Sequence, residues 1–263
     1  MRLSHAEIKK LTVLKRKKYR QAEGLFLCDG VRLLEEAEKS NYHPEKVYYS
    51  AARLNERGLK LVKSFERNKI AVHDISVKDI ERIVSTKSSQ GIVGVFKSRK
   101  YNLEQHLNRG MRRLLVCDNI NDPGNLGTLM RSAAAFGLAP VITSTKTVEI
   151  NNPKTMRASM GACFSQPFIE KLAPELIVEK LKESGYKLLL ADINGENLNN
   201  LKSLPGKLAL IIGSEAVGGD DVFENNADYA VRIPMSKNVE SLNAAMAGTA
   251  LMFWLNNSER TSS

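Results

Sequence analysis

The chain has 263 residues, 43% hydrophobic and 26% charged, with 39 Lys+Arg against 29 Asp+Glu and a formal net charge of +10. That length allows one large domain or two ordinary ones, and the composition excludes disorder as the main state. No apolar run approaches the roughly 20 residues that span a membrane, and the basic N-terminus lacks the apolar core of a signal peptide.

In chain order, residues 5–20 read as a basic helix with Ile8, Leu11 and Leu14 or Lys15 on one face. Residues 26–30 (FLCDG) read as a strand and turn, and 31–40 as an amphipathic helix. Strands at 47–50, 70–75 and 91–97 alternate with helices at 59–68 and 77–86, a small α/β unit over residues 1–100. The polar stretch 101–110 reads as a linker between two compositions. Beyond it the pattern alternates again across 111–263. Strands are expected at 114–120, 140–144, 187–192, 208–213 and 229–234, and helices at 126–136, 174–185 and 242–256. Continuous apolar strands of this kind imply a parallel sheet covered on both faces.

The charge is not spread evenly. Residues 1–100 hold 23 Lys+Arg and 12 Asp+Glu, a net of +11, whereas residues 101–263 hold 16 and 17, a net of −1. A solvated helix face mixes both signs, but residues 1–20 set eight cations against Glu7 alone. Two readings stand: a surface for nucleic-acid phosphates, or a soluble basic face. The candidate phosphate contacts are Lys9, Lys10, Lys15, Arg16, Lys17, Lys18 and Arg20. Cys28, Cys117 and Cys163 lie far apart among apolar neighbours. They lack metal-finger spacing and read as buried free thiols of a reduced, cytoplasmic protein.

Three segments fall at strand ends, where open α/β sheets bind ligands. The first is Asp118–Gly127, running into a helix that carries Arg131; Asp122-Pro123-Gly124 reads as a turn, and Asn125 could be no more than a helix N-cap. The second, Ile211-Ile212-Gly213-Ser214-Glu215-Ala216-Val217-Gly218-Gly219, is neither a phosphate loop nor a dinucleotide fingerprint. The third is Ile233-Pro234-Met235 followed by Ser241-Leu242-Asn243, in which Ser241 could be a simple N-cap.

In this order and spacing the three segments resemble the signature motifs of the SpoU branch of the SPOUT RNA methyltransferases. Asp122, Pro123, Asn125, Gly127, Arg131 and Ala133 match D-P-x-N-x-G-x-x-x-R-x-A, and Gly213, Ser214, Glu215 and Gly218 match G-[SA]-E-x-x-G. Ile233 to Met235 and Ser241 to Asn243 match I-P-M and S-L-N. Ala216-Val217 depart from the glycine and acidic residues often found there. Residues 1–100 look, more loosely, like the substrate-binding domain fused to ribosomal RNA ribose methyltransferases.

The resemblance implies a parallel sheet whose C-terminal segment is threaded into a trefoil knot, and a homodimer through the C-terminal domain. It implies methyl transfer from S-adenosylmethionine to an RNA ribose 2′-hydroxyl, a reaction that needs no metal because the leaving group is already activated, with 23S ribosomal RNA as the expected substrate. Transfer RNA and a non-catalytic RNA-binding role are the alternatives. Gly213, Ile233 and Leu242, with Ile212 and Met235, are the expected cofactor contacts. Arg131, Asn125, Glu215, Ser241 and Asn243 are the expected catalytic set, with Arg131 as an electrostatic clamp rather than a base.

Overall fold

A computed structural model of the chain describes residues 3–84, 89–201, 206–214, 218–236, 238 and 241–260, the last three without their side chains. The first elements are α1 (His5–Val13), α2 (Lys17–Glu23), β1 (Leu25–Asp29), α3 (Val31–Lys39), β2 (Lys46–Tyr49), α4 (Glu56–Arg67), β3 (Ala71–Asp74), α5 (Val77–Ile83) and β4 (Ile92–Lys97). Next come α6 (Leu103–Leu107), β5 (Arg113–Cys117), α7 (Pro123–Phe136), β6 (Val141–Ser144), α8 (Pro153–Ser159), α9 (Ala162–Ser165) and β7 (Phe168–Leu172). The chain ends with α10 (Pro174–Glu183), β8 (Lys187–Asn197), β9 (Leu208–Ile212), α11 (Asp221–Glu224), β10 (Tyr229–Arg232) and α12 (Ala244–Arg260).

These elements form two compact units. One joins Met1–Arg99 to Asn151–Ser165; the other joins Lys100–Ile150 to Gln166–Ser263. In the first unit the sheet order is β1-β4-β2-β3. Only β2 and β3 run parallel; β4 is antiparallel to both of its neighbours. An aromatic cluster fills one side: Phe26 stacks on Phe96 at 5.4 Å, and Tyr42 meets Phe96 and Phe164 edge-on at 5.6 and 5.4 Å. Phe164 belongs to α9, which the alternation of strands did not suggest. Asn152 and Pro153 supply a clear local start for α8, as N-cap and first helical residue. The sequence does not say where those helices bury their apolar side. Arg157 pairs with Asp29 at 3.3 Å, and Asn151 donates to Ser98 at 3.1 Å, holding the segment within this unit.

The expected helix over residues 5–20 is two helices. Ser4 caps α1 through a reciprocal capping box with Glu7. The chain then turns at Leu14–Arg16. Arg20 is 5% exposed, and its guanidinium donates to the carbonyls of Leu14 and Lys15 at 2.8 and 2.7 Å. It satisfies acceptors left over at the end of α1. Arg20 is therefore corrected from a phosphate contact to a brace between α1 and α2.

In the second unit six strands run in the order β10-β8-β9-β5-β6-β7, every pair parallel. β5 and β9 are buried at every position, as continuous apolar runs require. The segment read as a linker contains α6, whose Leu107 is 2% exposed in the core of this unit. The turn expected at Asp122–Gly124 is the first turn of α7, with Asp122 as N-cap and Pro123 at its start. β8 is longer than expected. Ala230 pairs with Leu190 and Val231 with Glu196, so residues 191–195 make an excursion from the ladder. Helix α12 packs closely on α7: a Cβ at Gly248 would meet Leu129 Cδ2 at 2.3 Å.

Because Arg20 fills two backbone acceptors, Arg20→Ala should destabilise the first unit by about 2 kcal/mol, whereas Lys17→Ala should change stability by less than about 0.5 kcal/mol. Urea denaturation of the full chain followed by hydrogen exchange in α1 checks this; equal effects of the two substitutions contradict it.

Candidate functional site

At the carboxyl ends of β8, β9 and β10 lies a cavity of about 390 Å³. Its apolar wall includes Leu190, Ile212, Val231, Leu242 and Leu251. Ile212, Gly213, Ile233, Met235 and Leu242, the five residues expected at the cofactor, all line it, and so does Ser241. The segment after β9 folds back on itself: the N–H of Ser214 donates to the Gly218 carbonyl at 2.9 Å, and the N–H of Gly218 to the Ser214 carbonyl at 3.0 Å. A Cβ at Gly213 would lie 2.3 Å from the Gly218 carbonyl carbon and oxygen. Only glycine fits that close approach of two backbone segments.

Beside the cavity the first and third motifs meet. Asn243 donates through Nδ2 to Oδ1 of Asn125 at 3.0 Å. Its own Oδ1 accepts from the N–H groups of Ala245 and Met246 at 3.0 and 3.3 Å, capping α12. The cap of this helix is thus Asn243 rather than Ser241. Asn125 is likewise not the cap of α7; Asp122 holds that place and accepts from the Asn125 N–H at 2.8 Å. The Asn125 side chain, not needed as the cap, accepts from Asn243. Arg131 stands exposed on α7 and is not part of the cavity wall. Glu215, with Ala216 and Val217, lies outside the described residues.

Sequence reasoning overlooked polar residues of the wall. Asp192 and Asn194 come from the excursion in β8, Glu224 from α11 and Arg232 from the end of β10. Asp192 had a readable signal, because it ends the apolar run KLLLA at a strand's carboxyl end. Glu224 sits in a helix too short to leave a periodicity. The carboxylates of Asp192 and Glu224, beside the polar Asn194, Arg232 and Ser241, offer acceptors to a ligand with hydroxyl or ammonium groups. Cys117 offers no nucleophile. Burial, and then the Asp118 carboxylate, push its thiol well above the ordinary range.

Of the seven basic candidates, Lys9, Lys10, Arg16, Lys17 and Lys18 are exposed. Lys15 is half-buried and donates to the Arg82 carbonyl at 2.7 Å. Among the described residues no group of three or more His, Cys, Asp or Glu could hold a metal ion, and no helix is long and apolar enough to cross a membrane.

A parallel sheet whose strand ends enclose such a cavity, closed by a capped C-terminal helix, defines an α/β enzyme domain with a small-molecule site. The SpoU rRNA methylase family matches residues 112–253, more than half of the chain. An MRM3-like substrate binding domain matches residues 5–94. The chain belongs to the SpoU rRNA methylase family. The 23S rRNA (guanosine(2553)-2'-O)-methyltransferase RlmP of Bacillus subtilis is 30% identical over 95% of both chains. The human mitochondrial rRNA methyltransferase 3 is 34% identical over 92% of this chain and 70% of its own length. The SpoU methyltransferase AviRb of Streptomyces viridochromogenes, solved in complex with the cofactor AdoMet, shares the fold with a TM-score of 0.87 at 24% identity, over 99% of each chain.

Gly213→Ala forces the Gly218–Gly219 backbone to move, and should weaken S-adenosylmethionine binding by about tenfold or more while the fold persists. Gly206→Ala, where a Cβ meets nothing within 4 Å, is the control and should bind normally. Calorimetry on both variants decides; normal binding by Gly213→Ala would show that the close approach is not needed.

Proposed function

We propose that the protein transfers a methyl group from S-adenosylmethionine to a ribose 2′-hydroxyl of 23S ribosomal RNA. The observation that carries this reading is the meeting of the three motifs at one sheet edge, where the Asn125–Asn243 contact adjoins a glycine-cradled cavity. The relatives named for ribosomal RNA and the match of residues 5–94 to a substrate binding domain support ribosomal rather than transfer RNA.

The cavity residues fit the cofactor. Backbone groups at Gly213, Ile233 and Leu242 would hold its adenine and ribose, with Ile212 and Met235 against apolar atoms, and Asp192 and Glu224 offer acceptors to its hydroxyl and ammonium groups. Bound there, S-adenosylmethionine supplies a methyl group activated by its sulfonium, with a neutral leaving group. What remains for the protein is alignment and removal of the hydroxyl proton. Arg131 is a poor base, because a guanidinium stays protonated in proteins. Its role is to stabilise the developing alkoxide and hold the adjacent phosphate. Asn125, held by Asn243, orients the ribose or Arg131. Ser241, on the cavity wall, would add to the hydrogen-bonding shell, a role the motif resemblance also assigns to Glu215.

Arg131 lies on the exposed face of α7, and on α12 Met246 and Phe253 are 62% and 53% exposed. Both features support a homodimer through these helices, with Arg131 working beside a cavity of the second copy. A trefoil threading of the last segment is part of the reading, supported by the shared fold of the Streptomyces structure. The buried free cysteines support a reducing compartment, the cytoplasm.

Arg131→Ala should lower transfer of tritiated methyl groups onto ribosomal RNA by at least about a hundredfold while calorimetric cofactor binding persists. Activity within a few-fold of the unsubstituted protein would remove Arg131 from the mechanism. Absence of transfer by the unsubstituted protein onto any RNA would favour a non-catalytic RNA-binding role.

The exposed cations make a second forecast. Replacing Lys9, Lys10, Arg16, Lys17 and Lys18 together by Gln should lower RNA affinity and flatten its salt dependence by about 0.7 logarithmic units per lost phosphate contact. Arg20→Gln should leave that slope unchanged. Filter-binding titrations across salt concentrations measure both, and an unaltered slope in the quintuple variant would place the RNA surface elsewhere.

A further inference from the structure

Asp118 follows the apolar run of β5, and its side chain is 2% exposed. A carboxylate that deep is unfavourable unless it is hydrogen-bonded. Its backbone N–H donates to the Ile212 carbonyl at 2.8 Å. Its Oδ2 accepts from the Asp220 N–H at 2.8 Å. Ile212 and Asp220 are the residues immediately before and after the segment 213–219, whose Gly213, Ser214, Gly218 and Gly219 line the cavity. One residue from a different strand therefore grips both feet of the loop. Asp118 does not itself line the cavity.

The Asp220 side chain is occupied elsewhere. Its Oδ1 accepts from the Val222 N–H at 3.2 Å, capping α11, and its Oδ2 lies 3.8 Å from Lys146 Nζ. The link from Asp118 thus runs to the backbone of residue 220 and does not depend on the side chain there.

We infer that Asp118 is a positioning residue for the cofactor loop: it fixes the separation of the loop's two ends and so presets the backbone of Gly213 and Gly218 that faces the ligand. This rests on the reading of the cavity as the S-adenosylmethionine site. A preset loop binds more tightly because its ordering is not charged against binding.

The test uses four variants of the full chain: Asp118→Ala, Asp118→Asn, Asp220→Pro and Asp220→Ala. Proline lacks the N–H and prefers the φ of −63° that residue 220 already has. Asp220→Pro therefore removes the bond, but its Cδ takes the place of the amide hydrogen and crowds Asp118 Oδ2, so it is compared with the double variant Asp118→Ala, Asp220→Pro, which lacks that oxygen, while Asp220→Ala controls for the lost side chain. Asp118→Ala and Asp220→Pro should each raise the calorimetric Kd for S-adenosylmethionine by about tenfold or more, with the KM for RNA unchanged. Asp118→Asn, which keeps an acceptor oxygen, and Asp220→Ala should stay within about threefold of the unsubstituted protein. The double variant Asp118→Ala, Asp220→Pro should bind no worse than either single one, because both remove the same bond.

Without any cofactor, amide exchange over residues 213–220 should be faster in Asp118→Ala and Asp220→Pro only. Normal cofactor affinity in both, additive losses in the double variant, or unchanged exchange would each overturn the inference. If Asp118→Ala does not fold, the comparison of the two Asp220 variants decides alone. If the unsubstituted protein binds no S-adenosylmethionine, the cofactor reading falls, and the exchange data still show whether Asp118 braces the loop.

Discussion

Everything at the functional edge depends on the parallel pairing of β9 between β5 and β8. Parallel strands place their carboxyl ends on one side of the sheet, so the segments after Cys117, Leu190 and Ile212 leave it side by side. β10 joins the same edge beyond β8. Neither the cavity nor the meeting of Asn125 with Asn243 exists without that register. Helix α12 secures the arrangement from one face. Gly248 allows it to approach Leu129 on α7, Ser132 and Thr249 share a hydrogen bond of 2.7 Å, and Arg113 reaches the Leu255 carbonyl. Asn243, the first fixed point of that helix, is therefore held where its amide meets the first motif.

The sheet of the second unit was legible because its strands are apolar at every position. A strand buried on both faces must read as a continuous run, and β5 and β9 do. The cavity wall was expected at Ile212, Gly213, Ile233, Met235 and Leu242 because the motifs that carry them resemble the SpoU signature. Its opposite wall was not. The excursion at 191–195 breaks a ladder in one strand only, and no residue-level pattern announces a register jump. The contact between Asn125 and Asn243 joins residues 118 apart in sequence. Residue type alone allows Asn125 and Ser241 as caps, but the local capping bonds are made by Asp122, which precedes Pro123, and by Asn243.

Arg20 shows where a charge count misleads. Counting treats every guanidinium as surface, but an arginine also carries five donors that can serve stranded backbone acceptors. The break after α1 leaves the Leu14 and Lys15 carbonyls without helical partners, and Arg20 turns back to them. Its neighbours Arg16, Lys17 and Lys18 remain exposed. The basic surface is smaller than the sequence implies, and the cations left on it are those with no structural task in their own helices.

The segment 151–165 changes how the charge and the domains are divided. With it, the first unit holds 24 Lys+Arg and 12 Asp+Glu, and the second 15 and 17. The asymmetry grows to +12 against −2, because Lys154 and Arg157 join the basic unit while Lys100 belongs to the other. The connection is also not a single tether. The chain passes from one unit to the other after Arg99, after Ile150 and after Ser165. Removing residues 1–99 would strip Phe164 of the aromatic partners Tyr42 and Phe96 and leave Arg157 without Asp29. An isolated second half would thus expose apolar surface that it never exposes in the whole protein. Substitutions on the basic face, which leave that packing intact, are consequently the sounder way to separate RNA capture from methyl transfer.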